Sequence, residues 1–403
     1  MREMNLPEGW KWVRLGEVLE ESKLRVKDIE SERAETIVIY SLDRYKGLIP
    51  QNQKFDKQVA SKDLTNYKVL MHGFLAYGFP IDEGVISFLK EEVIACVSPA
   101  YYVFKPKTQQ NIKFFDYLVR SDFMIKEYVN HSLQTVERRK IIKPEFFKNI
   151  QIPLPPLPQQ KKIAEILETV DKIIEKTEKI IEKYKRIKQG LMQELFTKGI
   201  DENGKIRDEK THRFKDSPIG RIPEEWEVVR LGDILKYEQP YKYIVKDTNY
   251  TKTGIPVLTA GKSFILGYTQ ESEGVYQNLP VIIFDDFTTD NKFVDFPFKV
   301  KSSAMKFLRP KNENINLRFV YETMQTLKYD YVSGDHKRRW ISEFQHFLIP
   351  LPPLPEQERI AQTLSQIDKV IESEQKYKQK LESLKRGLME DLLTGRVRVN
   401  LLE

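Results

Sequence analysis

The sequence predicts an α+β protein: two globular domains separated by two long antiparallel helices, related as a pseudo-twofold internal repeat. Three observations predict this architecture. Ile152-Pro153-Leu154-Pro155-Pro156-Leu157-Pro158 recurs letter for letter as Ile349-Pro350-Leu351-Pro352-Pro353-Leu354-Pro355, and the match runs on without a gap at an offset of 197. Between 152–197 and 349–394, 23 of 46 positions are identical. Beyond each proline run, apolar residues recur at helical spacing. Two further stretches repeat at other offsets. Leu6 to Glu20 matches Ile222 to Lys236 at 216, sharing Pro-Glu-x-Trp and Val-Arg-Leu-Gly. Ser98, Ala100, Pro106, Lys107, Phe115 and Tyr117 match Ser302, Ala304, Pro310, Lys311, Phe319 and Tyr321 at 204.

These marks divide the chain into a first domain over 1–151, a first helix over 152–198, a linker over 199–221, a second domain over 222–348, and a second helix with a tail over 349–403. In the first domain Val69-Leu70-Met71, Val93-Ile94-Ala95-Cys96-Val97 and Tyr101-Tyr102-Val103-Phe104 read as strands, being β-branched or aromatic and bounded by turn residues. A helical segment near 113–130 follows. In the second domain, residues 255–258, 281–284 and 304–308 play the same part, with a helix near 316–328. The sheets are expected to be mostly antiparallel.

Pro158 and Pro355 stand at or just before helix starts, where a missing N–H costs nothing. The first helix then shows Ile163, Ile166, Leu167, Val170, Ile173, Ile174, Ile180, Ile181, Tyr184, Ile187, Leu191 and Leu195. The second shows Ile360, Leu364, Ile367, Val370, Ile371, Tyr377, Leu381, Leu384, Leu388 and Leu392. A seven-residue period suits mutual pairing, centred on Ile163, Leu167, Val170, Ile174 and Ile181 with Ile360, Leu364, Ile367, Ile371 and Leu381. The stripes are wider than a two-position seam, so each helix is expected to meet more than one neighbour. Gly199 and the polar run to Pro218-Ile219-Gly220 read as a helix stop and linker that would let the second helix return antiparallel.

The chain has 403 residues, with 66 Lys+Arg against 59 Asp+Glu, a formal charge of +7, 40% hydrophobic and 31% charged residues. That composition fits a folded, mildly basic protein with something anionic to meet. No apolar run reaches the length of a membrane span, and Met1 to Pro7 holds no apolar signal core, so the protein is expected to stay in the cytoplasm where it is made. One cysteine, Cys96, excludes an internal disulfide and any multi-thiolate metal site.

Catalytic fragments are weak. Ala260-Gly261-Lys262-Ser263 ends like a phosphate loop, but Pro256 stands where the cradle needs glycine. Asp285-Asp286 with Asp290-x-Lys292 hints at a metal nuclease, with a separation short for acids on paired strands. The five histidines show no metal spacing, and no Gly-x-Ser-x-Gly or Asn-Pro-Pro-aromatic motif occurs. No metal site and no catalytic residue is assigned. Binding features are better: Arg138-Arg139-Lys140 and Lys337-Arg338-Arg339 precede the two Ile-Pro-Leu-Pro segments at comparable places. Basic side chains there would neutralise phosphates or read guanine edges.

Two variable modules, each followed by Ile152–Gln160 or Ile349–Gln357 and an amphipathic helix, resemble the specificity subunit of type I restriction–modification systems. Ala164, Asp171, Ala361 and Asp368, the Gly-Leu-Met runs at 190 and 387, and the Pro-Glu-x-Trp openings carry the resemblance, which covers essentially the whole chain. It implies two target recognition domains, each docking on half of a bipartite, asymmetric site in double-stranded DNA. It implies helices that set the unread spacer and dock two methyltransferase subunits, with restriction subunits joining the complex. S-adenosylmethionine, ATP and Mg²⁺ would sit on those partners, leaving this chain without a cofactor. Base contacts do not transfer from the resemblance. Besides the basic triplets, the candidates are Lys262 and Ser263 in a glycine loop, and Arg44, Tyr45 and Lys46 beside Gly47. Three alternatives stay open: the recognition subunit of a related system such as Type IIB, a coiled-coil scaffold without a DNA role, and an enzyme using the degenerate phosphate loop or the acidic cluster.

Overall fold

The computed structural model describes residues 6–30, 36–55, 59–131, 142–261, 263–327, 329 and 338–399. They fall into two compact units, Met1–Glu178 with Lys376–Glu403, and Lys179–Gln375. The division cuts both long helices, so each unit takes one globular part and one segment of each helix.

In the first unit an antiparallel sheet runs Leu19–Glu21, Tyr102–Pro106, Leu75–Tyr77, Ile86–Phe88. A second sheet runs Gly47–Pro50, Val38–Asp43, Ala95–Val97, Lys68–Leu70, and only its central pair is parallel. The second unit repeats this with Leu235–Glu238, Met305–Pro310, Val281–Asp285, Asn291–Val294, and with Ile265–Thr269, Ile255–Leu258, Lys299–Val300, again parallel in one pair. The strands are short and the cores aromatic: Tyr77 and Phe104 of the sheet meet Phe114 and Phe147 of helices in one unit, and Phe284 of the sheet meets Phe319, Trp226 and Trp340 in the other.

Each proline motif forms half of a two-stranded ribbon. Gln151–Leu154 pairs with Lys11–Arg14, and Leu348–Leu351 with Glu227–Arg230. A ribbon of two strands has free edges, so Pro153 and Pro350 lose no ladder bond. The glycine of Val-Arg-Leu-Gly follows from packing here. A Cβ on Gly16 would lie 2.9 Å from Lys148 Cβ, and one on Gly232 3.0 Å from Gln345 Cβ.

The helical segment expected near 113–130 is two helices, Ile112–Val119 and Asp122–His131. Ser121 causes the break: its hydroxyl donates to the Leu118 carbonyl at 2.7 Å and accepts from the Met124 amide at 3.3 Å. The counterpart, Leu317–Met324, also ends early. The repeat in this helix is shifted from the expected offset of 204. Asn111 and Asn316 cap the two helices, accepting from Phe114 N and Phe319 N at 2.9 Å each. The loop after Lys311 is one residue longer than that after Lys107. Phe114, not Phe115, therefore matches Phe319, and Tyr117 matches Glu322 rather than Tyr321.

The long helices span Leu157–Leu195 and Leu354–Thr394. In the first unit Ile163, Ala164 and Leu167 pack with Leu392 and Leu393. Asp171 pairs with Lys385, and Glu178 with Lys378, each at 2.6 Å, so the two segments run antiparallel. In the second unit Lys188 pairs with Asp368 at 2.7 Å, while Leu195 and Phe196 join Ile360, Ala361 and Leu364, again antiparallel. Of the expected seam, Ile163, Leu167, Val170, Ile181, Ile360, Leu364, Ile371 and Leu381 are buried, and Ile174 and Ile367 half-buried. Ile180, Ile187, Tyr377 and Leu384 are 40%, 44%, 48% and 52% exposed, so part of each stripe has no cover.

The stretch expected as a plain linker over 199–221 is built into the second unit. Phe214–Ser217 and Gly220–Pro223 form a hairpin. Glu356, buried at the start of the second helix, accepts from Ile200 N at 2.9 Å, Arg207 Nη2 at 3.0 Å and Trp226 Nε1 at 3.0 Å. Gly199 has φ +68°, and a Cβ there would lie 2.2 Å from Glu356 Oε1. Gln159 holds the equivalent place on the first helix and accepts only from Trp10 Nε1, at 2.7 Å, among the hydrogen bonds of the described residues.

Glu356→Ala strands Arg207 in a nearly closed site and should cost about 3–5 kcal/mol in urea denaturation. Gln159→Ala should cost about 1 kcal/mol in the same assay. Cys96 is buried, and burial pushes its thiol up to about 12. It should resist iodoacetamide at about pH 8 until denaturant exposes it.

Candidate nucleic-acid interface

Two turns that looked unrelated in sequence occupy the same place in the two units. Arg44, Tyr45 and Lys46 form the tip between Val38–Asp43 and Gly47–Pro50. Ala260 to Ser263 lies between Ile255–Leu258 and Ile265–Thr269. In both units the first strand of the hairpin also makes the parallel pair. The phosphate-loop resemblance ends here, because a strand rather than a helix follows Ser263.

The first tip is held rigid from behind. Asp43 Oδ1 accepts from Lys46 N at 3.0 Å and Tyr45 N at 2.9 Å, and these amides hold its carboxyl below the ordinary carboxylate range. Gly47, at φ +77°, has no room for a Cβ, which would lie 2.5 Å from Ser87 Oγ. Arg120 donates to the Tyr45 carbonyl. Arg44, Tyr45 and Lys46 are all exposed, Tyr45 by 75%. The Arg44 guanidinium lies 4.7 Å from the Tyr45 ring centre and 3.3 Å from Glu83. A cation stacked on a flat, exposed ring can meet a phosphate and a base face together. Beside the tip opens a cleft of about 630 Å³ whose lining balances its charges, with Lys90, Lys113, Arg120 and Lys385 facing Glu83, Asp116, Glu168 and Asp171.

In the second unit Thr259 braces the turn, accepting from Gly261 N at 3.1 Å and donating to Ser263 O at 3.3 Å. Ser263 is exposed; Lys262 lies outside the described residues. The neighbouring loop carries Phe287, 39% exposed, and Thr289 at φ +64°. Arg339 Nε donates to the Phe287 carbonyl at 3.2 Å, which ties the segment before the proline-motif strand to this loop. In the first unit the segment is tied inside the core instead, where the buried Tyr77 hydroxyl donates to the Ile142 carbonyl at 2.9 Å. In the second unit the Phe287 loop and the segment leading into the proline motif therefore meet, and in the first the hairpin tip meets the loop after the central strand through Arg44 and Glu83.

The basic triplets fare unequally. Arg138, Arg139, Lys140 and Lys337 lie outside the described residues, and Arg338 is exposed. Arg339 is only 2% exposed and corrects the reading of it as a DNA contact. It is bonded to the Tyr329 hydroxyl and the Phe287 carbonyl, and lies 3.6 Å from Glu343. Asp285 and Asp286 are committed too. Asp285 Oδ1 accepts from Phe287 N at 2.8 Å, and Asp286 is buried 2.8 Å from Lys306 while accepting from Trp340 N at 3.0 Å. Among the described residues no cluster of acids, histidines or cysteines could hold a metal ion.

Both sites hang on one repeated bond pattern. Gln160 and Gln357, buried in the helix starts, donate to Pro155 O at 2.9 Å and Pro352 O at 2.8 Å. Their Oε1 atoms accept from Asn111 N at 3.1 Å and Asn316 N at 2.8 Å.

Duplicated domains of this kind, each offering one polar surface and fixed to a helix start through the same glutamine, define a two-headed binding protein. A family model described as the type I restriction modification DNA specificity domain matches residues 7–186 and 223–383, and the chain belongs to that family. A putative type I restriction enzyme specificity subunit of Methanocaldococcus jannaschii, MjaX, is 32% identical over 301 residues, 70% of this chain and 67% of that protein. The EcoR124I/EcoR124II specificity subunit of Escherichia coli is 51% identical over 163 residues, a stretch that spans 40% of each chain. The MjaVIII specificity subunit of M. jannaschii is 28% identical across 99% of this chain and 95% of its own length. The fold matches that of a type I restriction-modification S subunit from M. genitalium with a TM-score of 0.57 at 14% identity, covering 98% of both chains.

Arg338→Ala should weaken duplex binding alike for all sequences and lower the salt slope by about 1. Arg339→Ala should instead lower the melting temperature while leaving the salt slope unchanged. Filter binding across a salt series, with a thermal melt of each variant, separates the two.

Proposed function

We propose that this chain is the DNA-reading, non-catalytic subunit of a type I restriction–modification enzyme and works in the cytoplasm. Each globular domain reads one half of a bipartite, asymmetric site, and the helices set the unread gap. Methylation with S-adenosylmethionine, and ATP- and Mg²⁺-dependent cleavage, belong to partner methyltransferase and restriction subunits. The observation that carries the reading is a contrast. The scaffold bonds of Gln160 and Gln357 are the same in both units, whereas the surface tips differ in sequence, Arg44-Tyr45-Lys46 against Gly261-Lys262-Ser263. Identical frames with unlike tips suit two readers of unlike half-sites.

Partner docking has its own support. Ile180 and Ile187 correspond to Tyr377 and Leu384 at the repeat offset of 197, so the chain exposes one apolar pair twice. Two copies of one patch fit two copies of one partner, the methyltransferase subunit. A helix of 39 residues is about 58 Å long, enough to serve half-sites one DNA turn, about 34–36 Å, apart. Among the described residues no helix is long and apolar enough to cross a membrane.

The deciding experiment offers a randomised duplex library to the full chain with its methyltransferase partner and sequences the bound pool. The expected result is two short motifs with a fixed unread gap; one continuous motif or no enrichment overturns the reading. Ile187→Glu with Leu384→Glu should abolish co-purification of the methyltransferase while leaving the melting temperature within a few degrees, since both side chains are about half exposed.

A further inference from the structure

The long helices carry one ion pair twice. Asp171 and Asp368 correspond at the repeat offset of 197, and so do Lys188 and Lys385. In the first unit Asp171 lies 2.6 Å from Lys385; in the second Lys188 lies 2.7 Å from Asp368. Each pair joins the two long helices, and in each unit a third group reaches it from the recognition domain. Tyr117 donates its hydroxyl to Asp171 Oδ2 at 2.6 Å, and Lys385 Nζ lies 5.3 Å from the Tyr117 ring centre. At the matching position Glu322, fully buried, lies 2.9 Å from Lys188, while Arg318 binds both Glu322 and Asp368. One domain keys to the pair through its acid, the other through both its acid and its base.

We propose that these two pairs, with Tyr117 and Glu322, are positioning residues that fix each recognition domain's direction on its helices, and through it the gap the enzyme accepts. This rests on the functional reading above. The geometry supplies the reason. Each short helix, Ile112–Val119 or Leu317–Met324, is attached at its N-cap by the signature glutamine. In the first unit Lys113, in the first turn, adds a pair with Glu168 at 2.6 Å close beside it. Attachment at the N-terminal end alone leaves the helix free to pivot about that end. Tyr117 and Glu322 stand six residues further on, about 9 Å along the axis, and attach it a second time. Two points define a direction. The apolar packing of Phe114, or of Phe319, already holds each helix down, but it is not directional. The charged attachment is, and in the second unit it accepts few arrangements because Lys188 is 18% exposed and Glu322 not at all.

The test uses the full chain with its methyltransferase partner and duplexes carrying both selected half-sites, the gap shortened or lengthened by one base pair. Tyr117→Phe removes one hydroxyl and keeps the ring; Lys188→Met removes the other unit's cation. Preference for the correct gap should fall about tenfold in each, the scale of one directional hydrogen bond, with base preference in both half-sites unchanged. Lys188→Arg and Lys385→Arg should keep the gap preference. Equal loss of affinity at every gap, or unchanged gap preference in a folded Tyr117→Phe protein, would overturn the proposal. An unaltered protein that shows no bipartite preference overturns the functional reading instead, so the two failures are distinct.

Discussion

Everything in this chain is arranged around a buried side-chain amide at a helix start. Gln160 and Gln357 each donate to a proline carbonyl that the helix cannot use and accept from the amide of an asparagine that caps another helix. A glutamine can donate and accept at once, which no carboxylate, ammonium or hydrocarbon of its size can do in closed surroundings. The bond pair joins the proline ribbon, the long helix and the recognition domain at a single point. The tryptophan of Pro-Glu-x-Trp reaches the neighbouring position, Gln159 or Glu356, and closes the other side of the same joint. The two most recognisable strings in the sequence are therefore the two halves of one contact.

This joint explains which parts of the molecule could be read from sequence. The long helices and their buried seam follow from a period that each helix carries in its own residues. Strand positions were close because short β-branched runs between turn residues leave few choices. What depends on a distant partner was hidden. Arg339 sits in a basic triplet, yet Tyr329, Glu343 and the Phe287 carbonyl draw it inward, and nothing in the triplet announces them. The stretch over 199–221 reads as polar linker because its organising contact, Glu356, lies 149 residues from Arg207.

The recognition surfaces were legible only in pieces. Arg44-Tyr45-Lys46 and the Gly261–Ser263 turn stand out for separate reasons, and a lysine beside a glycine is all that their letters share. Their equivalence exists in the strand pairing alone. The match of Tyr117 with Tyr321 was misleading for a related reason. One extra residue in a surface loop shifts the register, and an aromatic chance identity replaces the true counterpart, Glu322. The Asn caps could have exposed the slip, since Asn111 and Asn316 each stand three residues before a phenylalanine they cap.

The way the chain returns on itself has a consequence for biosynthesis. Leu392 and Leu393 belong to the same apolar core as Trp10 and Phe114, and Arg398 donates to the Glu8 carbonyl at 3.1 Å. The domain translated first thus lacks part of its interior until residues 376–399 have left the ribosome, while the domain translated second has all its pieces sooner. Domain-by-domain folding in order of synthesis, the usual protection for multidomain chains, is reversed here. During translation the nascent first domain carries an open apolar groove of its own making. A premature stop late in the second helix would leave that groove unfilled, far in sequence from the domain it damages.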